Sequence, residues 1–286
     1  MNFIRTLRLG DIELTIIGEG TLYGDPALVF KDMDESIWRN LVTLDDVGRL
    51  VFSLNLILVR TQNRLVLLDT GIGEPNKARQ SFEVLFPFKS QLSLLDALNI
   101  LNINRMDITD VVFSHVHADH IMGATIERNC VRIPSFPNAM YLMHEADGSN
   151  APEQHQRKVN FNLHIPILKS YGLFGLIKDQ HRIAPGLTAI HAPGESSGHI
   201  LVRLESKGLI AYYVGDLFHH ACEAEHIDFV WPGRNRKDTI ESRRNLISRA
   251  IEEDALIITA HTVFPGMAKF EVREGKVFCR NMSDFD

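Results

Sequence analysis

The feature that most constrains this chain is a series of short apolar runs, each as long as a buried strand and each ending on a chemically useful polar residue. They are residues 65–68 before Asp69, 111–113 before Ser114 and His115, 211–214 before Gly215 and Asp216, and 255–258 before His261. Helical spacing separates them. Leu92, Leu95, Leu98 and Leu101 lead into the second run, and Ile240, Ile247, Ala250 and Ile251 lead into the fourth. Asp238 with Glu241 supplies a capping-box start for that last helix. Strands alternating with helices predict an α/β layered fold, in which sites gather beyond strand ends, where these polar residues stand.

Composition narrows the class further. With 286 residues, 45% of them hydrophobic and 23% charged, the chain is excluded from the disordered class and can bury a sizeable core without covalent staples. No repeat or flexible linker divides it, so residues 1–286 read as a single domain. The formal charge of −6 comes with no run of either sign, which disfavours nucleic acid and favours a small-molecule substrate. The N-terminus lacks the apolar core of a secretory signal, and no apolar stretch reaches the ~18 residues of a membrane span. Cys130, Cys222 and Cys279 are odd in number and share no CxxC spacing, which fits reduced thiols. A cytoplasmic protein with no membrane partner is expected. Residues 10–50 carry no motif and read as a pair of edge strands and a long connection. The stretch from about Met143 to Gln180, interrupted by Pro152 and Pro166, reads as helical or irregular cover over the core, with a pocket wall as the second reading.

The densest chemistry is His115-Val116-His117-Ala118-Asp119-His120, four potential metal ligands in six residues directly after a strand. A tight turn there can aim alternate side chains at one point and the remaining pair at a neighbouring point, which suits two metals rather than one. Imidazole and carboxylate donors without thiolate fit zinc, manganese or iron and argue against a closed structural zinc site. His144, His155, His164, His181, His191 and His226 have no ligand spacing and read as surface or core residues.

This segment resembles the HxHxDH motif of the metallo-β-lactamase superfamily, and four further motifs follow in that family's order between about Leu56 and Phe270. The resemblance implies a four-layer αβ/βα sandwich and a hydrolase site. It implies His115 and His117 on one metal, Asp119 and His120 on the other. Asp69, in Asp69-Thr70-Gly71, matches a carboxylate that orients the metal-bound ligands. The family's P-G-H-T-x-G-H stands here as Pro193-Gly194-Glu195-Ser196-Ser197-Gly198-His199. His199 is thereby implied as the third imidazole of the first metal, and Glu195 replaces a histidine that is not ordinarily a ligand. Glu195 is read either as accepting a hydrogen bond from a ligand or as facing solvent. Asp216 matches the carboxylate that bridges the metals, and His261 completes the second set. His261-Thr262-Val263-Phe264-Pro265-Gly266, Arg243-Arg244 and Phe218-His219-His220 are similar to the branch that contains methyl parathion hydrolase and quorum-quenching N-acyl homoserine lactonases. One of His219 and His220 is expected at the pocket rim, and Cys222 is not expected to ligate.

The implied mechanism uses two divalent ions, zinc first and manganese or iron as alternatives, to hold a bridging hydroxide that attacks an ester or lactone such as an acyl homoserine lactone. Asp119 is placed to accept the nucleophile's proton. Organophosphate triesters and glyoxalase-II-like thioesters are the alternative substrates. A mononuclear iron sulfur dioxygenase is the alternative of a different class, and it would leave His120 and His261 idle. A homodimer is left open, since Phe30 and Trp38 could serve an interface, although packing on their own sheet is preferred.

Overall fold

The computed structural model describes residues 3–31, 33–149, 155–220 and 222–282, the side chains of residues 155 and 156 excepted. The N-terminal half contributes β1 (Ile4–Leu9), β2 (Ile12–Gly24), β3 (Leu50–Arg60), β4 (Leu65–Leu68), β5 (Phe88–Ser90), β6 (Asp110–Val112), the hairpin β7 (Thr125–Arg128) and β8 (Val131–Pro134), β9 (Met140–His144) and β10 (Phe174–Ile177). The remainder adds β11 (Gln180–Ala184), β12 (Leu187–His191), β13 (Ile200–Ser206), β14 (Leu209–Tyr213), β15 (Leu256–Ile258), β16 (Met267–Arg273) and β17 (Lys276–Met282). The helices are α1 (Pro26–Val29), α2 (Glu35–Trp38), α3 (Lys77–Glu83), α4 (Leu94–Ile100), α5 (Ala118–Ile121), α6 (Glu145–Gly148), α7 (His155–Ser170), α8 (Cys222–Glu225) and α9 (Arg236–Glu252).

Two large sheets follow from these strands, with β7 and β8 paired separately. One runs β1-β2-β3-β4-β6-β9-β10 with β5 against β2, and the other runs in sequence order from β11 to β17. The apolar runs are continuous because both faces of each sheet are covered. In β4, Val66 and Leu68 point into a core shared with Leu204, Tyr213 and Ile258 of the second sheet. Its alternate residues, Leu65 and Leu67, pack outward with Leu98 of α4 and Ile165 and Leu168 of α7. The outer face of the second sheet is covered likewise, with Tyr212 and Ile257 against Leu246 and Ile247 of α9. The result is the four-layer αβ/βα sandwich.

The parallel pairs matter most for the site. β4 pairs with β6, and β14 with β15, in parallel register, so Asp69 and His115 leave one sheet close together while Asp216 and His261 leave the other. The sheets are tied beside the site, where Ser53 and Asn55 of β3 donate their N–H groups to the carbonyls of His261 and Ala260.

Three sequence expectations are corrected. Residues 10–50 hold no pair of edge strands: β2 is interior, hydrogen-bonded to β1, β3 and β5, and the short helices α1 and α2 follow it. Residues 143–180 contain the strand β10, paired in parallel with β9, and α7 runs through Pro166. The buried faces of Phe161, Ile165 and Leu168 outweigh the one hydrogen bond that proline removes. Asn150 and residues 151–154, including Pro152, lie outside the described residues. Finally, α9 is capped by Asn235, whose side chain accepts from the Asp238 N–H at 3.2 Å, three residues before the expected Asp238 start. Phe30 and Trp38 are buried in their own chain, stacked 4.6 Å apart. Among the described residues no helix is long and apolar enough to cross a membrane.

Candidate metal centre

The site is built by turns at strand ends. After β4, Asp69 takes a left-handed φ of 61°, and its buried carboxylate collects four donors. The Ser114 N–H and Oγ–H reach it at 2.7 Å each, Tyr213 O–H at 2.6 Å and His120 Nδ1 at 2.7 Å. After β6 the chain places His115, turns at His117 and starts the single helical turn α5, which carries Asp119 and His120. Gly215, at φ 50°, lets the turn after β14 pass the His199 ring, because a Cβ there would lie 2.8 Å from His199 Nε2.

Each ring is oriented through its far nitrogen. His120 Nδ1–H donates to Asp69, His199 Nδ1–H to the Ala192 carbonyl at 3.0 Å and His261 Nδ1–H to the Ser53 carbonyl at 3.0 Å. The Ser114 hydroxyl hydrogen is committed to Asp69, so Ser114 Oγ accepts from His115 Nδ1 at 3.0 Å. These four rings therefore turn Nε2 inward, the arrangement by which proteins hold imidazole as a metal ligand.

Two donor groups result. His115, His117, Glu195 and Asp216 form one, and Asp119, His120 and His261 the other. Asp216 lies between them. Its Oδ1 is 3.0 Å from both His120 Nε2 and His261 Nε2, and its Oδ2 is 3.5 Å from His115 Nε2. Asp119 Oδ2 is 3.4 Å from His261 Nε2. His199 adjoins the first group, with its ring 5.4 Å from that of His115 and its Nε2 3.2 Å from the Asp216 N–H. All the residues expected at the site are thus brought together. Buried His120 Nε2, Asp216 Oδ1 and Glu195 Oε1 have no hydrogen-bond partner. Such orphaned donor atoms, clustered around shared points, fit divalent cations.

The electrostatics agree. Burial opposes charge on Asp216, but His120, His261 and His115 around it hold its carboxyl well below the usual range. Burial, followed by the neighbouring His120, holds His115 well below the usual imidazole value.

Several functional neighbours escaped sequence reasoning. Tyr213 donates to Asp69, while its neighbour Tyr212 faces the other way and donates to Glu253 at 2.6 Å. Its position two residues before Gly215 was the available signal. Arg157 and Arg234 come from segments without a motif. Arg157 Nε donates to His117 Nε2 at 2.6 Å, and Arg234 Nε to Glu195 Oε2 at 2.5 Å. Arg243, buried at 2% exposure, holds Glu223 at 2.9 Å and the Leu217 carbonyl, bracing the loop after Asp216. His219 reaches the site, 3.4 Å from Asp216 and stacked on Trp231, whereas His220 packs against Phe30 and Phe52. Cys222 is buried in the aromatic cluster away from both donor groups.

The donor groups open into a cavity of about 220 Å³ with apolar walls that include Leu22, Phe52, Phe82, Phe86, Val159 and Trp231. A separate group, His144, Asp179 and His191, lies elsewhere. Its two rings are stacked 4.0 Å apart at 5°, so their in-plane lone pairs lie in two parallel planes and do not converge on one ion. The side chain of His155 lies outside the described residues.

Comparison with known proteins completes this picture. Residues 49–261 match the family model described as the metallo-beta-lactamase superfamily. A probable metallo-hydrolase of Mycobacterium tuberculosis is 24% identical over 237 residues, 72% of this chain and 74% of the relative. Two solved structures share the fold. AidC, a dizinc quorum-quenching lactonase in complex with its product, has a TM-score of 0.79 at 22% identity, covering 99% of this chain and 98% of that one. AbOPH, a hydrolase, has a TM-score of 0.82 at 20% identity, covering 100% and 99%. With its fold, the match over residues 49–261 and the ordered ligand motifs in agreement, the chain belongs to the metallo-β-lactamase superfamily.

Proposed function

We propose that this single-domain chain is a dinuclear metal-dependent hydrolase of small-molecule esters or lactones, with acyl homoserine lactones first among them. The observation that carries the reading is Asp216, its two oxygens facing two separate groups of imidazole donors at 3.0–3.5 Å. His115, His117 and His199 would hold one ion, and Asp119, His120 and His261 the other, with Asp216 between. When bound, two such ions, zinc by preference, supply a water acidic enough to ionise near neutral pH and positive charge against a developing oxyanion.

The chain's own residues do the rest. Asp119 lines the cavity, where it can take a proton from the attacking water and return it to the leaving oxygen. Asp69 keeps the His120 proton on Nδ1, so that Nε2 is free to ligate. The aromatic and aliphatic walls suit an acyl chain and exclude water from the carbonyl. A mononuclear dioxygenase would have no use for His120 and His261, which are the two rings nearest Asp216 Oδ1.

The test is proton release from a long-chain acyl homoserine lactone by protein loaded with zinc or manganese. Metal-dependent turnover that is lost in His115→Ala and falls at least about 100-fold in Asp119→Asn is expected. Absence of turnover with two ions bound would replace lactones by phosphotriesters or thioesters, and a single bound iron would sink the dinuclear reading. Full turnover by metal-loaded Asp119→Asn would remove Asp119 from proton transfer.

A further inference from the structure

Glu195 occupies the position where the superfamily motif carries a histidine that is not a ligand, and its surroundings give the carboxylate a use that histidine does not have. We propose that Glu195 Oε1 ligates the metal on the His115 side, adding an oxygen donor to that group. The inference rests on the dinuclear reading above.

Four observations carry it. Glu195 sits on the loop between β12 and β13 and is only 3% exposed, so the solvent-facing alternative does not hold. Arg234 Nε occupies Oε2 at 2.5 Å, which turns Oε1 toward the imidazoles. Oε1 has no aligned hydrogen bond, yet it lies 2.9 Å from His117 Nδ1 and 3.9 Å from His115 Nε2. Donors about 2.1 Å from one ion and set at 90–110° lie about 3.0–3.4 Å apart, and the two distances bracket that range. Asp216 Oδ2, at 3.5 Å from His115 Nε2 and 4.0 Å from His117 Nδ1, closes the same polygon.

His117 gives the fourth reason. Arg157 donates to its Nε2, which favours the ring proton on Nδ1, the nitrogen that faces this group. An ion bound through His117 has to displace that proton, and the Glu195 carboxylate, 2.9 Å from the same nitrogen, is the anionic donor beside it. With carboxylates from both Glu195 and Asp216, the His115-side position is harder than a set of three imidazoles and shifts toward manganese or iron.

The experiment compares wild-type protein and Glu195→Gln loaded with cobalt(II). Wild type should bind two ions. The variant should bind one of them at least about tenfold more weakly, and at saturating cobalt its visible absorption should intensify as the coordination number falls. Weaker binding with an unchanged spectrum would mean that Glu195 only braces His117, and the proposal would be overturned. Should Glu195→Gln fail to fold, a crystal structure of metal-loaded wild type decides. Oε1 about 2.0–2.2 Å from the ion is expected, and a separation beyond about 3 Å overturns the assignment. A single bound cobalt in wild type, with a spectrum that Glu195→Gln alters, would overturn the dinuclear reading and keep Glu195 as a ligand.

Discussion

Asp69 carries more contacts than its place in the chain suggests. A non-glycine residue at φ 61° costs on the order of 1 kcal/mol, and the four donors converging on its carboxylate hold it there. Asparagine also tolerates this backbone region, so Asp69→Asn tests the carboxylate rather than the turn. Ser114 Oγ, His120 Nδ1 and Tyr213 O–H all reach Oδ2, and an amide NH₂ there accepts from none of them, so the His120 Nδ1–H is left unpaired even if the two hydroxyls turn away. Metal affinity should fall about 10- to 100-fold, measured by chelator competition, and stability by about 1–3 kcal/mol, measured by urea unfolding. Unchanged affinity would reduce Asp69 to a packing residue. The Asp-Thr-Gly sequence is weak by itself because such turns are common, and nothing local tells that Ser114, His120 and Tyr213 converge on that carboxylate. Glu195 shows the same limit. Its residue type is consistent with solvent or with a ligand contact, and burial excludes the first.

At the scale of elements, patterns covered on both faces by the expected partners were legible, and those set by distant packing were not. The runs ending at Asp69, His115, Asp216 and His261 are strands because continuous β-prone apolar residues are stable when both sheet faces are buried. β10 was missed because its pairing partner, β9, is about 30 residues away and its own burial is uneven. The start of α9 separates local from observed capping. Asn235 accepts from the Asp238 N–H, whereas the Asp238 side chain makes no cap bond. Asn235→Ala should therefore cost about 1 kcal/mol in urea unfolding, and Asp238→Ala clearly less, about 0.3–0.5 kcal/mol from its charge in the first turn. The reverse order would restore the capping box at Asp238.

At the scale of the molecule, one buried carboxyl makes stability depend on pH. Glu19 on β2 is 3% exposed and accepts the Ile72 N–H at 3.0 Å, while Gly71 leaves room for its carboxylate, since a Cβ there would lie 2.1 Å from Oε2. Burial pushes its pKa up from 4.5 to about 7 against the pull of the Ile72 N–H and Arg79. The folded state then binds the proton more tightly than the unfolded state, so stability is lost as pH rises from about 4.5 through about 7. In metal-free protein, Glu19→Gln should be more stable than wild type at pH 8 by up to about 3 kcal/mol, and the gap should close below about pH 4.5. Thermal unfolding across that range checks it, and a gap independent of pH would show that folding does not shift the Glu19 pKa.

The sequence by itself determined the layered α/β fold, the strand ends that carry the donors and the superfamily, because apolar runs, helical spacing and the HxHxDH turn are local properties read within a few residues. Only the tertiary structure decided that Asp216 lies between two donor groups, that Tyr213 and Ser114 share Asp69 with His120, and that Glu195 is turned inward by Arg234. Those contacts join residues up to 144 positions apart. They arise when two sheets close face to face, and side-chain direction at that distance follows from packing rather than from any neighbour in the chain.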